Sequence, residues 1–266
     1  MVAKEFDGKV ALVAGGSLGI GRAAAIRLAA GGAQVVVAAR RIDAVNDVVS
    51  AIKQDGGNAI GVAADVSKGA EAERFVQSAV DAFGGVDILV NSQGIQRYGN
   101  VEETTEALWD EVMNVNVKSM FLTTHFAIPE MKKRGGGAIV NVASVQGLAT
   151  QTTVAAYSTS KAAIIGLTRT IAVDYAKLNI RANVVLPASI DTPMLRDAAD
   201  LFRGENSNDA LIADWGKMHP IGRVGTAEEV AELIAFLASD RAGFITGAEY
   251  KIDGGMMAAL GVVLPE

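Results

Sequence analysis

Short apolar runs alternate with longer segments of helical spacing along most of this chain. Residues 9–14 (Lys-Val-Ala-Leu-Val-Ala) are almost wholly apolar and predict a strand buried on both faces. Runs of the same kind recur at 34–39, 58–63, 86–90, 138–143, 180–186 and 247–253. Between them, apolar positions at helical spacing predict helices over 22–30, 43–55, 70–83, 103–133, 157–177 and 226–239. The long one carries Pro129 near its end, and the last opens on a capping signature, Thr226 followed by Glu229. Strands alternating with helices imply right-handed crossovers, so the expected fold class is α/β: a doubly wound, seven-stranded parallel sheet with helices on both faces. Ligands of such sheets bind at the carboxyl ends of the strands.

The alternation breaks between 191 and 220. Met194, Phe202, a polar turn at 204–208 and Trp215 read there as an amphipathic insertion at the ligand edge, a substrate lid. With no Pro- or Ser-rich linker and no internal repeat, residues 1–266 are expected to form a single domain.

Composition narrows the function. Half of the residues are hydrophobic but only 5% are aromatic, so small side chains let helices pack closely on the sheet. A net charge of −6 argues against a nucleic-acid surface. The absence of cysteine excludes disulfides, thiolate catalysis and cysteine metal sites. His125 and His219 have no ligand partners at useful spacing, so no metal is expected. The first nine residues are charged at once and lack the apolar core of a secretory signal. No apolar run reaches the roughly 18 residues of a membrane span. A soluble cytoplasmic protein acting on a small molecule is the expectation.

The chemistry concentrates at the predicted carboxyl ends of the strands. Gly15-Gly16-Ser17-Leu18-Gly19-Ile20-Gly21 joins the first strand to the first helix, where glycines let a pyrophosphate approach the backbone and the helix dipole faces it. The second strand ends in Ala39-Arg40-Arg41. With no carboxylate at Ala39 and a guanidinium beside it, this end favours the 2′-phosphate of NADP over the 2′-hydroxyl of NAD, although NAD stays possible and the arginines also fit a solvated helix start. Asp65-Val66 falls where an adenine ring would lie. Tyr157 and Lys161 are four apart and share a helix face. A neighbouring ammonium pulls a phenol below its usual pKa of about 10, which makes an acid–base catalyst, and Ser144 can donate to the same substrate oxygen. Alone, the pair fits a solvated helix equally well. Its convergence on one sheet edge with the glycine loop, Arg40, Asp65, 91–94 and 187–188 points to an enzyme.

Across essentially its whole length the chain resembles the short-chain dehydrogenase/reductase family, a Rossmann fold. Residues 14–21 match the family's Thr-Gly-x-x-x-Gly-x-Gly loop with Ala14 for threonine, and Asn91-Ser92-Gln93-Gly94 stands for its Asn-Asn-Ala-Gly. Asn116, Ser144, Tyr157 and Lys161 match its catalytic tetrad, and Pro187-Ala188-Ser189-Ile190-Asp191-Thr192 its Pro-Gly-x-x-x-Thr segment. The resemblance implies that Gly15, Ser17, Leu18, Gly19, Ile20, Arg40, Arg41, Asp65, Val66, Asn91, Gly94, Tyr157, Lys161, Pro187, Ile190 and Thr192 hold the dinucleotide, with Thr192 on the nicotinamide amide. Tyr157 would move the proton, Lys161 lower its pKa and hold the ribose, Ser144 orient the carbonyl, and Asn116 keep a helix open for a water relay. The loss of the threonine hydroxyl removes a brace from the loop, and Ser92-Gln93 puts larger polar groups near the nicotinamide. A homotetramer is implied, with Ala155, Ala156, Ala162, Ala163 and Gly166 small enough for close helix pairing.

The substrate is less legible. Gln93, Gln96, Gln146, Gln151, Met194 and Trp215 are candidates to face it beside Ser144. Amides matched to hydroxyls favour an aldose or polyol. A 3-oxoacyl-carrier-protein reductase is the alternative, weakened by Val173-Asp174 where such enzymes carry an arginine, with Lys132-Lys133-Arg134 as its carrier patch. A non-catalytic NADP sensor would show a broken tetrad.

Overall fold

A computed structural model describes residues 5–260; residues 1–4 and 261–266, the two ends of the expected domain, lie outside the described residues. The first half alternates strictly: β1 (Val10–Ala14), α1 (Gly19–Ala30), β2 (Gln34–Ala39), α2 (Ile42–Gln54), β3 (Asn58–Ala63), α3 (Gly69–Phe83) and β4 (Ile88–Asn91). Then follow α4 (Glu106–Met113), α5 (Ser119–Lys133), β5 (Gly137–Val142), α6 (Ala155–Tyr175), β6 (Ile180–Pro187), β7 (Ile190–Asp191), α7 (Pro193–Phe202), α8 (Asn208–Gly216), β8 (Gly225–Thr226), α9 (Ala227–Ala238) and β9 (Glu249–Ile252).

The seven-stranded sheet runs β3-β2-β1-β4-β5-β6-β9, every pairing parallel. The chain moves outward from β1 to β3, then returns to lay β4 against β1, with Leu12 opposite Leu89. That reversal opens a crevice at the carboxyl ends of β1 and β4. All five residues of β1 are buried, and they alternate between two cores. Ala11 and Val13 join the cluster that holds α1, α2 and α9, while Val10, Leu12 and Ala14 join that of α3, α5 and α6. A strand sealed on both sides has no polar face, which is why these runs read as unbroken apolar stretches.

The amino edge of the sheet is tied shut. Asp87 accepts Val10 N–H at 2.8 Å and takes Arg134 in a bidentate pair at 3.1 and 2.9 Å. Arg134 is therefore committed at the edge opposite the crevice, and the Lys132-Lys133-Arg134 patch ends α5 there.

The expected helix over 103–133 is three segments. Thr105 caps α4 by accepting Leu108 N–H, and residues Asn114–Lys118 then widen into a π turn before α5. The cause is Asn116, fully buried, whose side chain accepts Ile95 N–H at 2.8 Å and donates to Ile95 O and Ser160 Oγ, both at 2.9 Å. The 191–220 insertion consists of α7 and α8 around a loop, and β7 pairs with β8 beneath it.

Candidate active site

A cavity of about 1520 Å³ opens at the carboxyl edge. One wall is backbone. At Gly15, φ is +72° and an added Cβ would lie 2.5 Å from Gln93 N; at Gly21 it would lie 2.2 Å from Gly15 O. Neither position admits a side chain without opening the loop. No side chain caps α1, so its first N–H groups face the cavity. The loop is braced through the main chain, Gly15 and Gly16 N–H both reaching Ala38 O at 2.9 and 3.1 Å. These features fit a dinucleotide pyrophosphate.

Gly15, Ser17, Leu18, Gly19, Ile20, Arg40, Arg41, Asp65, Val66, Gly94, Pro187, Ile190 and Thr192 line this cavity together. Burial pushes the Asp65 carboxyl up, but hydrogen bonds from Ser67 and the nearby Lys68 and Arg40 outweigh it and hold the group ionised below the usual range. Asn91 is placed elsewhere. Its fully buried amide bonds Asn141 at 2.9 Å and accepts Thr123 Oγ1 at 2.7 Å, so its side chain braces the sheet from behind the wall.

The tetrad assembles. Tyr157 and Lys161 rise from the same face of α6, with Lys161 Nζ 5.4 Å from the phenol ring centre and donating to Val142 O at 3.2 Å. Ser144 follows β5, accepts Gln146 N–H at 3.1 Å and donates to Pro187 O at 3.3 Å. Asn116 stays behind the wall, where it donates to Ser160 Oγ, whose hydroxyl donates to the Tyr157 main-chain carbonyl at 2.6 Å.

The expected lowering of the Tyr157 pKa by Lys161 is reversed by burial. Burial pushes Tyr157 up to about 12, against the Ser144 hydrogen bond that favours its phenolate, with Tyr98 raising it further. Burial likewise pulls Lys161 down to about 8. Desolvation disfavours both charges at once, and it governs the Tyr157 shift. With only protein groups around it, Tyr157 is a protonated acid at neutral pH.

The candidate substrate residues all border the cavity, and their amides are only partly engaged. Gln93 Nε2 donates to Ser119 Oγ, another cavity residue, at 3.0 Å, which leaves Gln93 Oε1 buried without a partner. Gln146 donates to Gln151 at 3.1 Å, which leaves Gln146 Oε1 buried without a partner. Met194 and Trp215 stand in an apolar wall with Leu201, Phe202, Met218, Met256 and Met257. Tyr98 and the two terminal methionines escaped the sequence reading. Both methionines follow β9, where no motif marks a return to the site.

A family model described as "Enoyl-(Acyl carrier protein) reductase" matches residues 14–257. The chain is 42% identical over 253 residues to an uncharacterized oxidoreductase of Thermotoga maritima, covering 95% of this chain and 99% of that one. It is 37% identical to the cyclohexanol dehydrogenase of an Acinetobacter strain, covering 96% and 97%. It belongs to the short-chain dehydrogenase/reductase family. Among solved structures, the aldohexose dehydrogenase of Thermoplasma acidophilum superposes with a TM-score of 0.89 at 36% identity over all of both chains. The L-sorbose reductase of Gluconobacter frateurii, solved with NADPH and L-sorbose, gives 0.91 at 33%, covering 96% and 98%.

As a short-chain dehydrogenase/reductase the protein is an oxidoreductase whose relatives act on CH–OH groups. Its departures from the family pattern are absorbed structurally. Ala14 lacks the threonine hydroxyl, but its carbonyl accepts Ser92 N–H at 3.0 Å, which ties the glycine loop to the 91–94 segment.

Proposed function

We propose that this protein transfers hydride between NADP(H) and a secondary alcohol or ketone, with Tyr157 as general acid and base. The observation that carries this reading is the meeting of Ser144, Tyr157 and Lys161 in the cavity that the glycine loop enters. Arg40 and Arg41 border the adenosine end beside the uncapped start of α2, and Ala39 offers no carboxylate there, all of which supports NADP over NAD. The first-turn Asp43 pulls the other way but lies one residue inside the helix.

When bound, the nicotinamide supplies the hydride carrier and, oxidised, a positive ring that favours the phenolate. The remaining steps belong to the chain. In reduction the Tyr157 hydroxyl gives its proton to the carbonyl oxygen; in oxidation its phenolate takes the hydroxyl proton. Ser144 donates to that oxygen and stabilises charge there. Lys161 would hold the ribose of the bound dinucleotide, and its charge would offset part of the cost of a buried phenolate. The π turn shaped by Asn116 leaves room for a water between Lys161 and solvent.

For the substrate, the apolar wall of α7, α8 and the 256–257 turn supports a compact alcohol or ketone with an apolar body. An aldose or polyol is the second reading, supported by Gln96 and the unpaired Gln146 Oε1. The 191–220 segment acts as the lid of a single catalytic domain. The exposed small positions Ala162 and Gly166, with Phe121, Trp109 and Val173 also exposed, support a homotetramer. No described helix is long and apolar enough to cross a membrane, which accords with a cytoplasmic enzyme.

Initial rates with NADPH and NADP+ against ketones, cyclic alcohols, aldoses and a 3-oxoacyl thioester test the reading. Tyr157→Phe is expected to lose activity about a thousandfold or more while NADPH still binds. Retained turnover in that variant overturns the assignment.

A further inference from the structure

Among the cavity groups that the mechanism leaves unused is the phenol of Tyr98. Its neighbours fix it from two directions. Arg97 turns outward to a bidentate pair with Glu111 at 3.0 and 2.7 Å. On the other side, Gly99 N–H donates to Thr153 O at 2.7 Å and Gly99 O accepts Ala155 N–H at 3.1 Å. This parallel bridge between Gly99 and Val154 joins the loop after β4 to the start of α6. Thr153 holds the turn at φ +60°, a strained conformation for a β-branched residue. Tyr98 is thus one residue from one end of the bridge, and Tyr157 three residues from the other.

The ring is also held. Phe202 of α7 meets it edge to face, centres 4.7 Å apart at 85°. What remains is a hydroxyl on a fixed axis. Burial alone shifts it, upward, and no described group hydrogen-bonds it. It lies near enough to Tyr157 to oppose ionisation there. A tyrosine half-buried among apolar groups ordinarily finds a partner for its hydroxyl. Here the space in front of it is the substrate cavity.

We propose that Tyr98 recognises a second oxygen on the substrate, so that the enzyme selects ketones bearing a hydroxyl or carbonyl one or two carbons from the reacting centre over simple ketones. The inference rests on the reading of this cavity as an alcohol/ketone site. It reconciles the apolar wall with the free polar groups, because the favoured molecule has an apolar body and two neighbouring oxygens.

The test compares kcat/KM for 2-hydroxycyclohexanone and cyclohexanone with NADPH, in the wild-type protein and in Tyr98→Phe. Their ratio does not depend on the fraction of folded enzyme, and the substitution keeps the ring against Phe202. Wild type is expected to favour the hydroxyketone by about tenfold or more, and Tyr98→Phe to reduce that preference by about 10- to 100-fold. Phe202→Ala, which frees the ring, should reduce it by a smaller factor. A wild-type ratio near one, or a Tyr98→Phe ratio within about threefold of wild type, overturns the proposal. If wild type reduces neither ketone nor any member of the wider panel, the alcohol/ketone reading itself fails and this inference with it.

Discussion

The two walls of the cavity are built on different principles. The dinucleotide wall, from the glycine loop to Asp65 and Gly94, is shaped by main chain at the carboxyl ends of consecutive strands. The substrate wall is side chains: Tyr98 after β4, Gln146 after β5, Met194, Phe202 and Trp215 from α7 and α8, Met256 and Met257 after β9. A backbone surface tolerates almost no change, since a Cβ at Gly21 would meet Gly15 O at 2.2 Å. A side-chain surface can be repainted without moving the sheet. The chemistry is therefore fixed by the first wall and the tetrad, and the choice of substrate by the second.

Substitutions can break that contrast. Gly21→Ala attacks the backbone wall and is expected to weaken NADPH binding by about a hundredfold or more, with a fall in melting temperature, because loop and helix must separate. Calorimetric titration checks it, and unchanged affinity would show the loop to be more pliable than its packing. Arg40→Ala changes only a side chain on that wall. It should cut the preference for NADP over NAD by about 10- to 100-fold in kcat/KM and leave the NAD rate nearly intact. A preference that does not move would assign the 2′-phosphate to other groups.

Lys161→Met sharpens the comparison from inside the tetrad. In the protein without added cofactor, burial lowers Lys161 from 10.5 to about 8. The unfolded chain therefore binds more protons between those values, so this group makes stability rise as pH climbs from about 8 to 10.5 and penalises the fold below. Lys161→Met should stabilise the protein near neutrality by about 1–3 kcal/mol while abolishing turnover, and should flatten the alkaline rise. Thermal melts across pH decide it. An unaltered profile would mean that the ammonium is not desolvated.

The same contrast explains what could be read in the sequence. The alternation of strands and helices follows from apolar runs at regular intervals, and the glycine loop from spacing, because both are local and repeat one geometric requirement. Tyr157 and Lys161 were legible as a pair four apart, and Asn116 through the motif it matches. The π turn and its cause were not visible as periodicity, since a single buried amide bonding Ile95 and Ser160 reshapes the helix. The pKa of Tyr157 was misjudged from spacing because a four-residue interval gives proximity but not burial, and burial governs here. The glutamines suggested a hydroxyl-reading site; Gln93 donates to Ser119 and Gln146 to Gln151, and each keeps a buried amide oxygen without a partner. Tyr98 lay outside every motif. Its place depends on a bridge to residue 154 and a ring contact with residue 202, neither of which composition or periodicity records.

Tyr157 is a buried acid whose ionisation is set by the ligand that joins it. The chain has four tyrosines, so one ionised phenol is a sizeable part of the phenolate ultraviolet absorbance, and the Tyr157→Phe variant assigns it. At about pH 9, NADP+ added to the wild-type protein should generate the signal of about one phenolate per chain, and added to Tyr157→Phe it should generate none. No phenolate in the wild type, or an equal signal in the variant, would contradict the account.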